Sequence, residues 1–237
     1  MRFGIAVFPG TWSDRDCARA VTLAGHEPVM LWHKDRDVKD ADCVILPGGF
    51  SYGDYLRCGA VARFAPLMDA VTEFAAHGGL VWGICNGFQI LCEAHLLPGA
   101  LSRNQSLQFR CEPAYLRVET TVSPFTSGCT QGDVLQIPVS HGEGRYVADD
   151  ETLDMLERDG RVALRYVAAD GSAVGARSPN GSMRDIAGVL NQGHNVLGMM
   201  PHPERASEAL LGSDDGMRLF ESVSHAVRHG DSFANIW

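Results

Sequence analysis

The chain predicts an α/β fold built on a doubly wound, mainly parallel central sheet with flanking helices and an antiparallel extension. Three observations carry that expectation. Short apolar runs alternate with amphipathic helical patterns through the first half. Further strand-like runs, separated by turn signals, crowd the second half. Glycine- or proline-bearing turns stand just beyond several apolar runs, where sheets of this kind collect their working residues.

The elements follow in order. Residues 3–8, 28–32, 43–46 and 80–82 are apolar runs bounded by Gly, Pro or Asp, as buried strands require. Between them, residues 14–24 place Cys17, Val21 and Ala24 on one helical face, with Asp14 and Asp16 in the first turn. Residues 61–76 repeat Phe64, Leu67, Met68, Val71 and Phe74 at helical spacing, and residues 88–96 continue as a helix after the fourth strand. In the second half, residues 115–121, 134–139, 161–167, 186–190 and 196–200 read as strands, with turns at Asp170-Gly171 and Asn180-Gly181. A last helix over residues 214–227 turns Met217, Phe220, Val223 and Val227 inward. No linker, repeat or low-complexity tract interrupts the 237 residues, so residues 1–237 are expected to form one domain.

Composition narrows the function classes. With 45% hydrophobic and 21% charged residues the chain is of ordinary globular type. Its net charge of -9, with no basic patch, argues against nucleic acid or an anionic membrane as partner. Seven cysteines, with no C-x-x-C pair, suggest a reducing compartment rather than a disulfide framework or zinc ribbon. The apolar start breaks at Pro9 and meets Asp14, Arg15 and Asp16, as a first strand does and a signal peptide does not. Asn86, Gln89, Glu93 and His95 interrupt the longest apolar stretch, leaving it short of the ~20 clean residues of a membrane span. A soluble, cytoplasmic protein is expected.

Chemistry concentrates at Gly83-Ile84-Cys85-Asn86-Gly87, between a strand and a helix. This is the pattern of a nucleophile elbow with Cys in place of Ser. The tight turn forces its central residue into a strained conformation and pushes the thiol out at a helix N-terminus, where the dipole favours the anion. A cysteine in an apolar stretch is by default a small buried hydrophobe, and Cys92, seven residues on, keeps that reading; the two glycines reverse it for Cys85 alone. A thiol nucleophile needs a base and a group to orient it. In Pro201-His202-Pro203-Glu204-Arg205, an extended backbone sends His202 and Glu204 to the same side, so the carboxylate can fix the imidazole tautomer. The competing reading is an exposed turn meeting water, and the elbow tips the balance toward a Cys85, His202, Glu204 triad. Donors for a developing oxyanion are proposed at the backbone N–H of Gly49, in the turn Pro47-Gly48-Gly49-Phe50, and of Asn86. No phosphate loop, H-E-x-x-H or zinc-deaminase pattern is present, so no metal or nucleotide cofactor is expected on this chain. Asn104-Gln105-Ser106 and Asn180-Gly181-Ser182 fit the glycosylation pattern but read more simply as turns.

With these strings in view, the chain resembles the class I, triad-type glutamine amidotransferases. Within them, Phe8-Pro9-Gly10, residues 50–57, Arg103-Asn104, His141-Gly142-Glu143-Gly144, Pro179-Asn180-Gly181-Ser182 and residues 199–205 are similar to the glutaminase subunits of phosphoribosylformylglycinamidine synthase. The resemblance implies glutamine as substrate, with Gln89 and the backbone at Ser140, His141 and Gly142 contacting it. It also implies a glutamyl thioester on Cys85, and ammonia delivered to a large synthase subunit that holds ATP and Mg, with a small accessory subunit joining them. Another triad thiol hydrolase, or the glutaminase subunit of a different amidotransferase, is the alternative. The loop at Tyr52, Asp54 and Arg57 is either partner surface or the site of a local ion pair.

Overall fold

The computed structural model describes residues 1–174 and 178–229. The first half alternates as expected: β1 (Arg2–Val7), α1 (Asp14–Leu23), β2 (Glu27–Trp32), β3 (Cys43–Leu46), α2 (Pro66–Ala76), β4 (Leu80–Ile84) and α3 (Asn86–Glu93). The second half contains β5 (Ala100–Ser102), β6 (Arg110–Val118), β7 (Val134–His141), β8 (Arg145–Val147), α4 (Asp150–Arg158), β9 (Val162–Val167), β10 (Ile186–Leu190), β11 (Val196–Met199) and α5 (Met217–His229).

Among the described residues, nine strands form one sheet in the order β2-β1-β3-β4-β11-β10-β9-β6-β7, and β5 pairs with β8 apart from it. The five strands from β2 to β11 run parallel, while β10, β9, β6 and β7 each pair antiparallel to their neighbours. All residues of β3, β10 and β11 are buried, the mark of strands covered on both faces. Trp82 of β4 packs 4.8 Å, centroid to centroid, from Phe220 of α5. The next residue, Gly83, faces the other way: a methyl there would lie 2.5 Å from Leu91 of α3. α3 and α5 therefore cover opposite faces of β4. The site lies at the carboxyl ends of the parallel strands, and β7 reaches back to it from the far end of the sheet, with Pro138 O accepting the His202 N–H at 2.8 Å.

Several boundaries differ from the sequence expectation for local reasons. The helix expected over residues 61–76 begins at Pro66, because Ala65 before the proline is extended (ψ 141°). Phe64, expected on the buried face, is 75% exposed beneath the Arg63 guanidinium. The strand expected at residue 115 starts at Arg110, Pro113 being accommodated opposite Pro138. α4 was not anticipated; it buries only Leu153 and Leu156, and Asp149 caps it by accepting the Thr152 N–H at 2.7 Å. No helix among the described residues is long and apolar enough to cross a membrane, and all seven cysteines are free thiols.

Candidate active site

Cys85 sits between β4 and α3 with φ 52° and ψ -104°, a conformation L-residues avoid. Its N–H donates to Met199 O at 2.8 Å, tying the elbow to β11. The flanking glycines are required by space. A methyl on Gly87 would lie 1.9 Å from Leu46 O, and one on Gly83 would lie 2.7 Å from the Gly87 carbonyl carbon. Glycine thus lets the turn close against β3 and presents the sulfur at the N-terminus of α3. The thiol lies 3.6 Å from Ser140 O, at the end of β7.

His202 follows β11, and its Nδ1 meets Glu204 Oε1 at 2.6 Å. The i,i+2 geometry anticipated from Pro203 is realised, although Pro203–Arg205 forms a single 3₁₀ turn. Both side chains are buried, and the second ring nitrogen, Nε2, is left for the Cys85 side chain, to which His202 is coupled by charge and hydrogen bonding. A methyl on Gly48 would lie 2.6 Å from His202 Cε1 and 3.4 Å from Cys85 Cβ. Imidazole and thiol therefore flank one backbone point, which only a glycine can occupy. Burial alone would lower the pKa of His202, but the Glu204 carboxylate and the Cys85 sulfur outweigh it and push it up to about 10. The ring is poised to hold a proton opposite sulfur.

His141 has the opposite character. Its Nδ1 lies 3.1 Å from Asn104 Oδ1, and its Nε2 lies 3.4 Å from the Asn180 amide. Burial, followed by the charge of His202, lowers its pKa to about 4. This neutral ring holds the β7–β8 turn rather than serving as a second base. Asn104 and Asn180 are fully buried in that support, so neither residue is accessible as a glycosylation acceptor.

A cavity of about 580 Å³ opens on these groups. Of the residues expected from sequence, Cys85, His202, Gly49, Gln89, Ser140, His141 and Gly142 line it. Glu204 stands behind His202, outside the lining. The Gly49 N–H and the Asn86 N–H have no protein acceptor among the described residues, as oxyanion donors require. Gly49 has φ 152°, and a methyl there would lie 2.6 Å from Trp12 N. The Asn86 side chain supports the site from below: Oδ1 accepts the Ser51 N–H at 3.1 Å, and the amide donates to Gln89 Oε1 at 2.9 Å. The Gln89 amide in turn donates to Glu143 O at 2.7 Å.

The lining also includes Trp12, Ser13, Phe50, Asp54, Cys58, Phe109, Glu143 and Arg205, none assigned to the site from sequence. Phe50, Glu143 and Arg205 stand inside motifs already singled out, which was the available signal; Trp12 and Phe109 carry none. Cys58 is a second thiol in the cavity, but burial, then Asp54 and Glu143, drive its pKa upward. It therefore stays protonated. Of the loop left open by sequence, Arg57 makes a bidentate pair with Glu93 at 2.5 and 2.6 Å, and Tyr52 OH bonds His33 at 2.7 Å.

A cysteine on an elbow, a buried His–Glu pair and free N–H groups around one cavity are the parts of a cysteine-dependent amide-cleaving centre. The chain belongs to the CobB/CobQ-like glutamine amidotransferase family, whose model matches residues 1–223. It is 53% identical to the phosphoribosylformylglycinamidine synthase subunit PurQ of Koribacter versatilis, over 96% of this chain and 99% of that one. It is 56% identical to the PurQ subunit of Streptomyces avermitilis, over 94% and 96% of the two chains. Among solved structures, a chain of PurLQS from Thermotoga maritima matches with TM-score 0.85 and 44% identity, over 95% of this chain and 98% of that one.

Proposed function

We propose that this chain is the glutaminase subunit of phosphoribosylformylglycinamidine synthase. The observation that carries the reading is the cavity in which Cys85, the Glu204-backed His202 and the Gly49 turn converge. The family match and the near full-length PurQ relatives supply the substrate and the partners.

The Cys85 sulfur adds to the side-chain amide carbon of glutamine, and the carbonyl oxygen becomes an oxyanion held by the Gly49 and Asn86 N–H groups. Each such donor contributes roughly 2.7–4 kcal/mol in acyl-transfer sites. The proton shared between Cys85 and His202 passes to the amide nitrogen as the C–N bond breaks, so ammonia leaves and a γ-glutamyl thioester remains. His202 then takes a proton from water, the hydroxide adds to the thioester, and glutamate departs as the sulfur is regenerated. Glu204 holds the imidazole throughout.

Residues 1–237 act in this reading as one glutaminase domain in the cytoplasm. Ammonia passes to a large subunit, which uses ATP and Mg to convert formylglycinamide ribonucleotide to the amidine, and a small accessory subunit completes the assembly. The test is glutamate release with and without the two other subunits, ATP and formylglycinamide ribonucleotide. Slow release by the chain alone and a rise in the full mixture are expected; a rate indifferent to the partners, or a preference for another amide or a peptide, contradicts the assignment.

A further inference from the structure

A second cavity, of about 470 Å³, shares no lining residue with the one that holds Cys85. Its volume falls in the ~300–1,000 Å³ range of small-ligand sites. It opens beyond the carboxyl end of β2, where His33, Lys34 and Arg36 meet Tyr52 and the segment leading into α2. Ligands of open α/β sheets collect at such strand ends. The glutaminase chemistry uses none of these residues.

Charge is sorted along the segment after β2. Asp35 pairs with Lys39, Oδ2 to Nζ at 2.5 Å, and also accepts the Trp32 N–H at 2.9 Å. Asp37 accepts the Lys39 N–H at 3.0 Å. Lys34 and Arg36, which alternate with these acids, line the cavity instead and enter no ion pair among the described residues. In a chain with 29 Asp and Glu against 20 Lys and Arg, two unpaired cations on one cavity reverse the local sign of charge. The wall beside them is fixed. His33 is 9% exposed, and its Nδ1 meets Tyr52 OH at 2.7 Å. Burial raises the Tyr52 pKa, so the phenol keeps its proton and donates it to the ring. Tyr52 itself holds φ 53°, pinned by its N–H on Pro9 O at 2.6 Å. Phe64 adds an exposed ring, with the Arg63 guanidinium 4.6 Å from its centroid.

We propose that this second cavity binds a nucleoside monophosphate, with Lys34 and Arg36 receiving the phosphate and the aromatic wall of Tyr52 and Phe64 receiving the base. An ammonium and a guanidinium on one rim suit a phosphate dianion, whose oxygens accept charge-assisted hydrogen bonds from both. Tyr52 and Phe64 offer π surface of the kind on which any base stacks. Side chains rather than a glycine loop supply the charge, so no phosphate-loop motif marks the site in the sequence. The site is independent of the glutaminase reading, since it gives a ligand to residues that the amide chemistry leaves idle.

The test is calorimetric titration of the full chain without its partners, which keeps the ATP site of the large subunit out of the measurement, using AMP, adenosine, inorganic phosphate and citrate as probes. AMP is expected to fill one site and to bind about ten-fold or more tightly than each of the other three. The double variant Lys34→Gln, Arg36→Gln is expected to weaken AMP about ten-fold or more. Phe64→Ala is expected to weaken AMP about five-fold or more and to leave inorganic phosphate unchanged. All three side chains are exposed, and wild-type glutamate release by the variants in the assembled complex reports that they fold. AMP that does not saturate the chain at millimolar concentration, or that binds the double variant as well as wild type, overturns the proposal. Citrate binding as tightly as AMP also overturns it, as an unselective anion patch would show. So does loss of AMP binding once Cys85 is alkylated by a glutamine-like reagent, which would put the nucleotide in the other cavity. Should the double variant fail to fold, Lys34→Gln alone carries the test: weakened AMP binding supports the proposal and unchanged binding overturns it.

Discussion

His202 is held between opposing pulls: burial disfavours its charge, and the Glu204 carboxylate at 2.6 Å favours it more strongly. Glu204→Gln keeps the shape and removes that charge. Steady-state kinetics should show kcat for glutamine falling by about 10²–10⁴-fold, the range for loss of an imidazole-orienting carboxylate, with little change in KM. The same contact enters stability. His202 titrates near 10 when folded, against 6.5 as its ordinary value, so its contribution is complete below about pH 6.5 and is lost as pH rises toward 10. The stability gap between wild type and Glu204→Gln in urea should be widest below pH 6.5 and narrow above it; a gap that widens with pH contradicts the account. His141 has the reverse sign. Its pKa is lowered to about 4, so its contribution is present above pH 6.5 and is lost as pH falls toward 4. His141→Gln should flatten that acid-side fall in melting temperature, whereas an unaltered fall would exclude the buried neutral ring as a cause. Cys85, His202 and Glu204 were legible in the sequence because short backbone constraints, a glycine-flanked turn and an i,i+2 pair around a proline, aim them. The place of Asp54 in the cavity lining was not, since its half-burial and the nearby Glu143 charge arise from segments 89 positions apart.

The elbow is the element on which the site depends. With 1.9 Å available between a methyl on Gly87 and Leu46 O, Gly87→Ala must displace either α3 or β3. Urea unfolding should register a loss of about 1–3 kcal/mol or more, accompanied by loss of glutaminase activity; an alanine variant of wild-type stability and rate would refute the close approach. At α4, Asp149→Ala should cost about 1 kcal/mol through the missing cap, read from the same unfolding curves. Elements were legible where periodicity and punctuation agreed, as in β3, β10 and α1. α2 was extended too far because the apolar spacing of Phe64 runs on through Pro66, which stops a helix regardless of pattern. α4 was missed because it commits only Leu153 and Leu156 to the core, too few to raise a periodic signal.

At the scale of the molecule, the sheet brings together residues that the chain keeps far apart. β4 and β11 are neighbours though more than a hundred residues separate them, which sets Cys85 beside the turn carrying His202. β7, last in the sheet order, returns so that Ser140 lines the other wall and Pro138 O holds the His202 backbone. An α/β sheet with an antiparallel extension could be read from alternating runs, but strand order could not, since nothing local records which edge a strand joins. The central claim is that this convergence makes Cys85 a nucleophile toward glutamine. Its most direct test is mass spectrometry of the assembled enzyme, acid-quenched during turnover of isotopically labelled glutamine and digested with protease. The account predicts a labelled glutamyl thioester on the Cys85 peptide that is absent from the inactive Cys85→Ala protein. Sustained glutamine hydrolysis by Cys85→Ala, or turnover with the label on any other residue, would contradict it.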